Sequence, residues 1–284
     1  MKRLNLFASA CLVASAALAA DPAPRAKPED VGISSERLAL IGRTISQEIA
    51  ANNMPGGVLA IARRGKLVFL EAYGYRDAET KAPMTTDAIF NIASMTKPNV
   101  AVAGLQLLEN GRLTMEEPLS RTFPQFSKMQ VGVMDPKGET IVNKVAASRQ
   151  ITIQDLYRHT SGMIYGGRGA TAIHKLWPEG SSQAALEMTG DEFASKASQT
   201  PLLWQPGSTW DYGFGLDFLG LAVEKHTGQK LSAYLEQNVW KPLGMIDTHF
   251  VVPQEKVSRY AKALPVDPES KQPQSLRQLA SPTK

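Results

Sequence analysis

Asn91-Ile92-Ala93-Ser94-Met95-Thr96-Lys97-Pro98 is the stretch of this chain that carries the most information about its fold and chemistry. Ser94 and Lys97 are three positions apart, so on a helix they lie on one face about one turn from each other. Serine is a weak nucleophile at neutral pH and needs a neighbouring base. A lysine that is desolvated and close to other positive groups can have its pKa lowered enough to take the serine proton. The spacing predicts an acyl-transfer enzyme with Ser94 as nucleophile and Lys97 as its activating partner.

The residues around this pair support the same interpretation. The segment from Ser94 to Asn110 is predicted to form a helix, because apolar residues recur along it and Gly111 follows its end. Pro98 falls in the first turn, where proline is tolerated because that N–H has no helical partner. Ser94 would therefore lie beside the helix N-terminus, where backbone N–H groups favour a negatively charged oxygen. A chance Ser-x-x-Lys on a solvated helix would not need this context.

The first twenty residues predict a secretory signal peptide (1–20). Lys2 and Arg3 precede an uncharged Ala/Leu-rich stretch, and Ala17-Leu18-Ala19 supplies a small-x-small cleavage pattern. The apolar stretch is short for a membrane span, so we expect a periplasmic or secreted protein without a membrane span. Residues 21–30 are polar and proline-rich, which predicts an extended leader.

Composition excludes several other functions. The chain of 284 residues is 43% hydrophobic and 20% charged, which is ordinary for a globular protein. The single cysteine, Cys11, lies in the predicted signal peptide, so disulfides and thiolate metal sites are excluded from the mature protein. No histidines stand at metal-ligand spacing, and neither a metal nor another cofactor is expected. Loss of Lys2 and Arg3 lowers the net charge from +4 to +2, which makes nucleic acid a poor partner.

Local patterns predict one early hairpin and a series of helices. Ser34 or Ser35 is expected to cap a helix that ends near residue 52. Apolar runs on both sides of Arg64-Gly65 predict a hairpin, followed by a polar loop over 74–86. Further helices are predicted at Thr152–His159, Asp191–Ser198, Leu216–His226 and Leu231–Val239. His249–Val252 is one of few remaining strand candidates.

Six segments, taken together and in order, resemble the serine β-lactamase/penicillin-binding-protein superfamily. The class C-like branch with family VIII-type carboxylesterases and related acyltransferases is the most similar. The segments are Ile92–Lys97, Leu107–Leu113, Pro118–Ser120, Ile151–Gly162, Gln205–Tyr212 and Trp240–Met245.

The resemblance implies an α/β (α+β) fold of β-lactamase/transpeptidase type. An antiparallel sheet flanked by helices would stand beside an all-helical region, with the active site between them. The domain would occupy residues 31–252, and a polar, proline-containing tail residues 253–284. No third family motif is found, because His226-Thr227-Gly228 follows a helical stretch in which Gly228 is a natural C-cap. The chain is therefore expected to lack the family's C-terminal third and to have an incomplete sheet.

The resemblance also implies roles for individual residues. Ser94 would be acylated, Lys97 would activate it, and Tyr212 would pass protons between Ser94 and the leaving group. The family's β-lactamases have Tyr-x-Asn where this chain has Tyr212-Gly213-Phe214. Phe214 can pack against an acyl group, as a substrate-binding residue, but cannot donate the hydrogen bond of the asparagine. Asp217 is either a feature shared with the esterases or an acid placed favourably in the first turn of a helix.

We therefore expect a serine hydrolase that cleaves small acyl esters through an acyl-serine intermediate, with a small-molecule acyl substrate as its partner. The alternatives are a β-lactamase or D-Ala-directed peptidase, and a non-catalytic acyl-binding, penicillin-binding or truncated inactive relative. His159, Tyr165 and Trp210 could lie near the site but are more simply interpreted as structural. Gly166-Gly167-Arg168-Gly169 follows no clear strand, which makes a phosphate-binding loop a poor interpretation.

Overall fold

A computed structural model describes residues 23–273 of the chain. The predicted signal peptide and the last eleven positions lie outside the described residues. Two compact units are present: residues 23–90 together with 255–273, and residues 91–254. The predicted domain over 31–252 contributes to both units, and residues 255–273 of the predicted tail group with the first unit. No helix within residues 23–273 combines the length and the apolar character that crossing a bilayer requires.

The first unit is built on the predicted helix and hairpin. Helix α1 spans Ser35–Ala50, and the Ser34 hydroxyl accepts a hydrogen bond from a backbone N–H of its first turn at 3.2 Å. Strands β1 (Gly56–Arg63) and β2 (Lys66–Asp77) pair antiparallel. Between them, Arg64 and Gly65 have φ angles of +53° and +70°, as a tight hairpin turn with the natural strand twist requires.

Strand β2 is longer than the sequence predicted. It continues through Gly74 to Asp77 and pairs with a short strand β3 (Ala82–Pro83), which gives a three-stranded sheet in the order β1-β2-β3. Gly74 has φ +67°, and a Cβ there would lie 2.5 Å from the Pro55 carbonyl oxygen, so only glycine fits. The predicted loop over 74–86 is thus wrong in its first residues, because this glycine marks a kink within a strand rather than its end.

Within the first unit, residues 255–273 contact residues 23–90 through an isolated bridge rather than a regular strand. Tyr260 forms a parallel bridge with Ile89. The Lys262 ammonium lies 2.7 Å from the Asp77 carboxylate, and this contact is the main reason that the pKa of Asp77 falls to about 2. These pairings tie the two parts of the first unit together.

The second unit is mainly helical. Its helices are α2 (Thr96–Glu109), α3 (Ile153–Arg158), α4 (Ser181–Glu187), α5 (Gly190–Gln199), α6 (Gly215–Thr227) and α7 (Leu231–Leu235). The predicted helices α2, α3, α5 and α6 are present. Thr152 and Asp155 form a reciprocal capping box at α3, and Gly228 ends α6 with φ +70°, as predicted. Helix α7 is shorter than predicted because a π-helical turn, Glu236–Trp240, follows it.

A second hairpin in this unit was not predicted. Strands β4 (Gln130–Met134) and β5 (Ile141–Ala146) pair antiparallel, so the region is not all-helical as the resemblance implied. Strand β5 is an exposed edge that contains Asn143 and Lys144, and its hydrophobic alternation is therefore weak. His249–Val252 does not form a strand.

The core of the second unit forms where α2 and α6 pack together. Four phenylalanines fill it with edge-to-face and stacked contacts at centroid distances of 5.0–6.2 Å: Phe123, Phe126, Phe193 and Phe218. Gly104 of α2 faces Leu219 of α6 and the hydroxyl of Tyr157, and that hydroxyl donates to the Ala101 carbonyl at 3.1 Å. The close approach of these helices holds the start of α2 in place.

We expect Gly104→Val to lower the free energy of unfolding by about 1–3 kcal/mol, as overpacking of a core does. A Cβ at this position would collide with the Tyr157 hydroxyl and lie 3.0 Å from the Leu219 methyl groups. Chemical denaturation measures the effect. Leu105→Val, at the adjacent and 46% exposed position of the same helix, is the control. Equal stability of the two variants would contradict this packing.

Candidate active site

Ser94 lies in a 3-10 turn, Ala93–Met95, that leads directly into α2. Ser94 is exposed, so a small molecule can reach its hydroxyl. The preceding residue, Ala93, has φ +43°, and its backbone N–H donates to the Asn91 side chain at 2.9 Å. A left-handed alanine is unfavourable, by about 1–2 kcal/mol, and such conformations concentrate at functional sites. The predicted helix thus begins two residues later than expected, and Ser94 stands just before it.

Lys97 lies in the first turn of α2 and is half-buried among aromatic side chains. Its ammonium donates to the Tyr165 hydroxyl at 3.0 Å. The same nitrogen is 4.8 Å from the centre of the Tyr212 ring, a distance at which the cation is attracted to the π-face. The structure therefore brings the predicted residues Lys97 and Tyr212 together, one helical turn from Ser94.

The electrostatics at Lys97 differ from the expectation. Burial is the largest influence and lowers the pKa of Lys97, but hydrogen bonds to Tyr165 and Tyr212 and the charge of Asp217 outweigh it. The net result is a raised pKa, so Lys97 is an ammonium at neutral pH. The predicted lowering of this pKa is wrong because the lysine is surrounded by hydroxyls and a carboxylate rather than by other cations.

Behind Lys97, three side chains form a hydrogen-bonded group. The Tyr165 hydroxyl donates to an Asp217 carboxylate oxygen at 3.1 Å and lies 2.6 Å from the Ser181 hydroxyl. Burial, and secondarily the charge of Asp217, raises the pKa of Tyr165 to about 12, so this phenol stays protonated. Burial also raises the pKa of Asp217. Asp217 lies in the first turn of α6, as one of the two interpretations of the sequence expected, and is a member of this group.

Tyr212 is held by rings on several sides. It lies in the loop before α6, half-buried, with the His159 ring 4.7 Å away and the Tyr165 ring edge-on at 5.4 Å. The Arg168 guanidinium lies 5.2 Å from its ring centre. His159 itself ends α3 in a left-handed conformation, φ +54°. Burial, together with the charge of Lys97, lowers the pKa of His159, so this histidine is neutral beside Tyr212.

Phe214 is not placed as predicted. Its side chain is 0% exposed and packs against Tyr165, Trp177 and Phe193 at centroid distances of 4.5–5.8 Å. A fully buried ring cannot contact a substrate, so the substrate-binding assignment is corrected. Phe214 instead packs against the Tyr165 ring, and the Tyr165 hydroxyl in turn contacts the Lys97 ammonium.

Sequence reasoning undervalued two residues of the site and did not single out a third. Tyr165 was interpreted as packing, and Arg168 was noted only within a glycine-rich run. Ser181 at the start of α4 carries no recognisable local pattern. The one signal for Arg168 in the sequence was its charged side chain within a run of three glycines, because a cation is not expected in a hydrophobic core.

The arrangement is suited to acyl transfer. An exposed hydroxyl stands at the start of a helix, and a charged lysine one turn away contacts a tyrosine hydroxyl and a second tyrosine ring. A fixed cation of this kind stabilises negative charge that develops on nearby oxygen atoms. Tyrosine can both donate and accept a proton, as a carrier between nucleophile and leaving group must.

Known proteins are similar to this chain in sequence and in fold. Esterase EstB of Burkholderia gladioli is 33% identical over 214 residues, which are 75% of this chain and 51% of that protein. The structure of EstCE1, a hydrolase with promiscuous acyltransferase activity, superposes with a TM-score of 0.65 at 27% identity, covering 80% of this chain and 56% of that one. A class C β-lactamase shares the fold alone, with a TM-score of 0.63 at 18% identity over 86% of this chain and 59% of its own.

The chain spans about half the length of the curated relatives it matches. The match to the β-lactamase family covers residues 41–281, which is most of the sequence. The match includes Ser94, Lys97 and Tyr212. The chain belongs to the β-lactamase family.

Proposed function

We propose that this protein is a serine hydrolase of small acyl esters. The Ser94 oxygen attacks the ester carbonyl, the bond to the alcohol breaks, and the Ser94 proton passes to the departing alcohol by way of Tyr212. Water then attacks the acyl-Ser94 carbonyl, which releases the carboxylic acid and restores the serine hydroxyl. Two easier steps replace one difficult step.

The observation that carries the proposal is the placement of Lys97. Its ammonium contacts the Tyr165 hydroxyl at 3.0 Å and lies 4.8 Å from the Tyr212 ring centre, within one turn of the exposed Ser94. Desolvating the charge of Lys97 costs free energy, and the hydrogen bonds to Tyr165 and Tyr212 together with the charge of Asp217 offset that cost. A cation that acts on a nucleophile and a proton carrier needs this position.

An ester is favoured over a β-lactam as the substrate. The residue two positions after Tyr212 is phenylalanine, so no side-chain amide is available there to bind a β-lactam side chain. The names of EstB and EstCE1, an esterase and a hydrolase with acyltransferase activity, support the same choice. We also propose a periplasmic or secreted location, on the basis of the signal-peptide pattern in residues 1–20.

Parallel assays with p-nitrophenyl butyrate and a chromogenic cephalosporin test the proposal. We expect turnover of the ester, little turnover of the cephalosporin, and mass spectrometry of a quenched reaction to find one butyryl group on the peptide that contains Ser94. Faster cephalosporin turnover would favour a β-lactamase. A labelled Ser94 without turnover of either compound would indicate an acyl-binding protein, and the absence of both label and turnover would refute the proposal.

A further inference from the structure

A cleft between α5 and the second half of α6 takes no part in the proposed chemistry. Its volume is about 310 Å³, within the range of pockets that hold small molecules in proteins. Asp217, which belongs to the candidate active site, lies in the first turn of α6, whereas Leu221 and Lys225 line the cleft. At a rise of 1.5 Å per residue, Asp217 and Lys225 are about 12 Å apart along the helix axis. The α5–α6 cleft is therefore separate from the group around Lys97.

The floor of the α5–α6 cleft is apolar. Buried Phe123 and half-buried Leu221 supply its hydrophobic side chains. At Gly190 a Cβ would lie 2.5 Å from a Leu221 methyl group, so α5 approaches α6 this closely only because the residue is glycine. At Gly228, φ is +70° and a Cβ would meet no atom within 4 Å, so the space at the end of α6 is open. A short hydrocarbon chain is the kind of group that such a floor can shield from water.

Four charged side chains line the cleft, and three of them have partners within the protein. The Lys225 ammonium lies 2.7 Å from the Asp191 carboxylate. A Glu224 carboxylate oxygen accepts a hydrogen bond from the Leu231 N–H at 2.7 Å. The fourth side chain, Lys230, is exposed, and in the described part of the chain its ammonium has neither an ion pair nor a hydrogen bond. The lining thus combines an apolar floor with an ammonium that is available to a ligand.

This combination matches a small molecule that carries a carboxylate on a hydrocarbon chain. The carboxylate can form a charge-assisted hydrogen bond with the ammonium, while the chain is removed from water against the floor. A cationic ligand is disfavoured, because Lys225 neutralises the Asp191 carboxylate and Lys230 would repel a second cation.

We infer that the α5–α6 cleft binds short-chain carboxylates, with the carboxylate on Lys230 and the hydrocarbon chain over Phe123 and Leu221. The inference goes beyond the proposed function and does not depend on it, because binding needs no covalent step and no contact with Ser94. Lys230 is a ligand-binding residue in this assignment and has no part in the chemistry of ester cleavage.

NMR titrations with hexanoate and with hexanamide, which has the same chain and a neutral head, test the role of the charge. We expect hexanoate to bind the wild type about fivefold more tightly than hexanamide, and the two Kd values to become equal in Lys230→Gln. Acetate lacks the hydrocarbon chain and is expected to bind at least about tenfold more weakly than hexanoate. Lys196→Gln, at an exposed lysine in the last turn of α5, is the matched control and should keep the wild-type ratio.

The backbone amide shifts in the same titrations locate the bound hexanoate. We expect the largest changes at Gly190, Leu221 and Gly228, which line the cleft. Changes confined to the surroundings of Ser94 and Tyr212 would place hexanoate in the candidate active site and overturn the inference. Equal binding of hexanoate and hexanamide by the wild type, or the same loss of preference in Lys196→Gln, would also overturn it.

Failure of this inference is distinguishable from failure of the proposed function. The titrations need no ester turnover, so they decide the role of Lys230 even in a protein that hydrolyses no ester. Conversely, Lys230→Gln leaves Ser94, Lys97 and Tyr212 in place, and its turnover of p-nitrophenyl butyrate in the absence of hexanoate should match the wild type. The melting temperature of Lys230→Gln should also match, because the substituted side chain is exposed.

Discussion

Ser94→Ala is expected to lower kcat/KM for p-nitrophenyl butyrate by a factor of about 10⁴ or more, because loss of a nucleophile removes the covalent pathway entirely. The substitution removes one exposed hydroxyl from the turn before α2, and it leaves the Ala93 backbone and the Lys97 contacts in place. Initial rates at saturating and at low ester concentration separate the loss in kcat from any change in KM. The butyryl label on the Ser94 peptide should vanish with the activity.

The control for this variant is Ser198→Ala. Ser198 is a half-buried serine in α5 whose hydroxyl donates to a carbonyl of its own helix at 2.8 Å. Activity in that variant should match the wild type. Residual activity of Ser94→Ala within tenfold of the wild type would mean that another group is acylated, and the site would then have to be assigned elsewhere.

Lys97→Met is expected to reduce kcat/KM by about a thousandfold or more, since it removes the cation that contacts Tyr165 and Tyr212. Methionine has a similar length and leaves no large cavity. Lys97→Arg keeps the charge but cannot accept a proton at any accessible pH. Because the structure holds Lys97 as an ammonium, we expect Lys97→Arg to retain at least about ten times the activity of Lys97→Met.

The pH profile gives a second measurement on Lys97. The pKa of this lysine is raised by its partners, so the neutral amine forms only above the ordinary lysine range. We therefore expect no acceleration from deprotonation of Lys97 between about pH 7 and 9. Asp217→Asn removes the charge that helps to hold the proton and should lower the pKa of Lys97, which NMR of the lysine side chain can follow. A rate that rises through pH 8 in the wild type and equal inactivity of Lys97→Arg and Lys97→Met would instead assign Lys97 as a neutral base.

Local patterns were sufficient for the elements whose stabilising contacts lie within a few residues of one another. The hairpin turn at Arg64-Gly65, the capping box of Thr152 and Asp155, and the end of α6 at Gly228 all satisfy backbone groups nearby. The Ser94–Lys97 pair belongs to the same class, because one turn of helix sets the distance between its members. The resemblance of the six segments then extended this local information to the family.

Local patterns were not sufficient for features whose stabilising contacts come from distant parts of the chain. Strand β5 is mostly exposed and is interrupted by Asn143 and Lys144, and its pairing with β4 provides hydrogen bonds that no pattern in its own sequence predicts. Residues 255–273 appear as a tail when considered alone and become part of the first unit through partners such as Ile89 and Asp77. Phe214 was assigned by its position after Tyr212, and only the packing of α6 shows that its ring is buried.

The sequence by itself determined that a serine and a lysine stand one turn apart and that a tyrosine lies in a matching segment, and it predicts that these side chains carry the chemistry of this protein. Tertiary structure alone decided the partners of those side chains and the direction in which their pKa values shift. Tyr165 reaches Lys97 from 68 positions away, and Asp217 follows Tyr165 by a further 52. The pKa of a side chain depends on the groups around it in space, through burial, hydrogen bonds and charge. Those neighbours come from separate elements, so the protonation of Lys97 and the orientation of Arg168 are set only when the chain has folded.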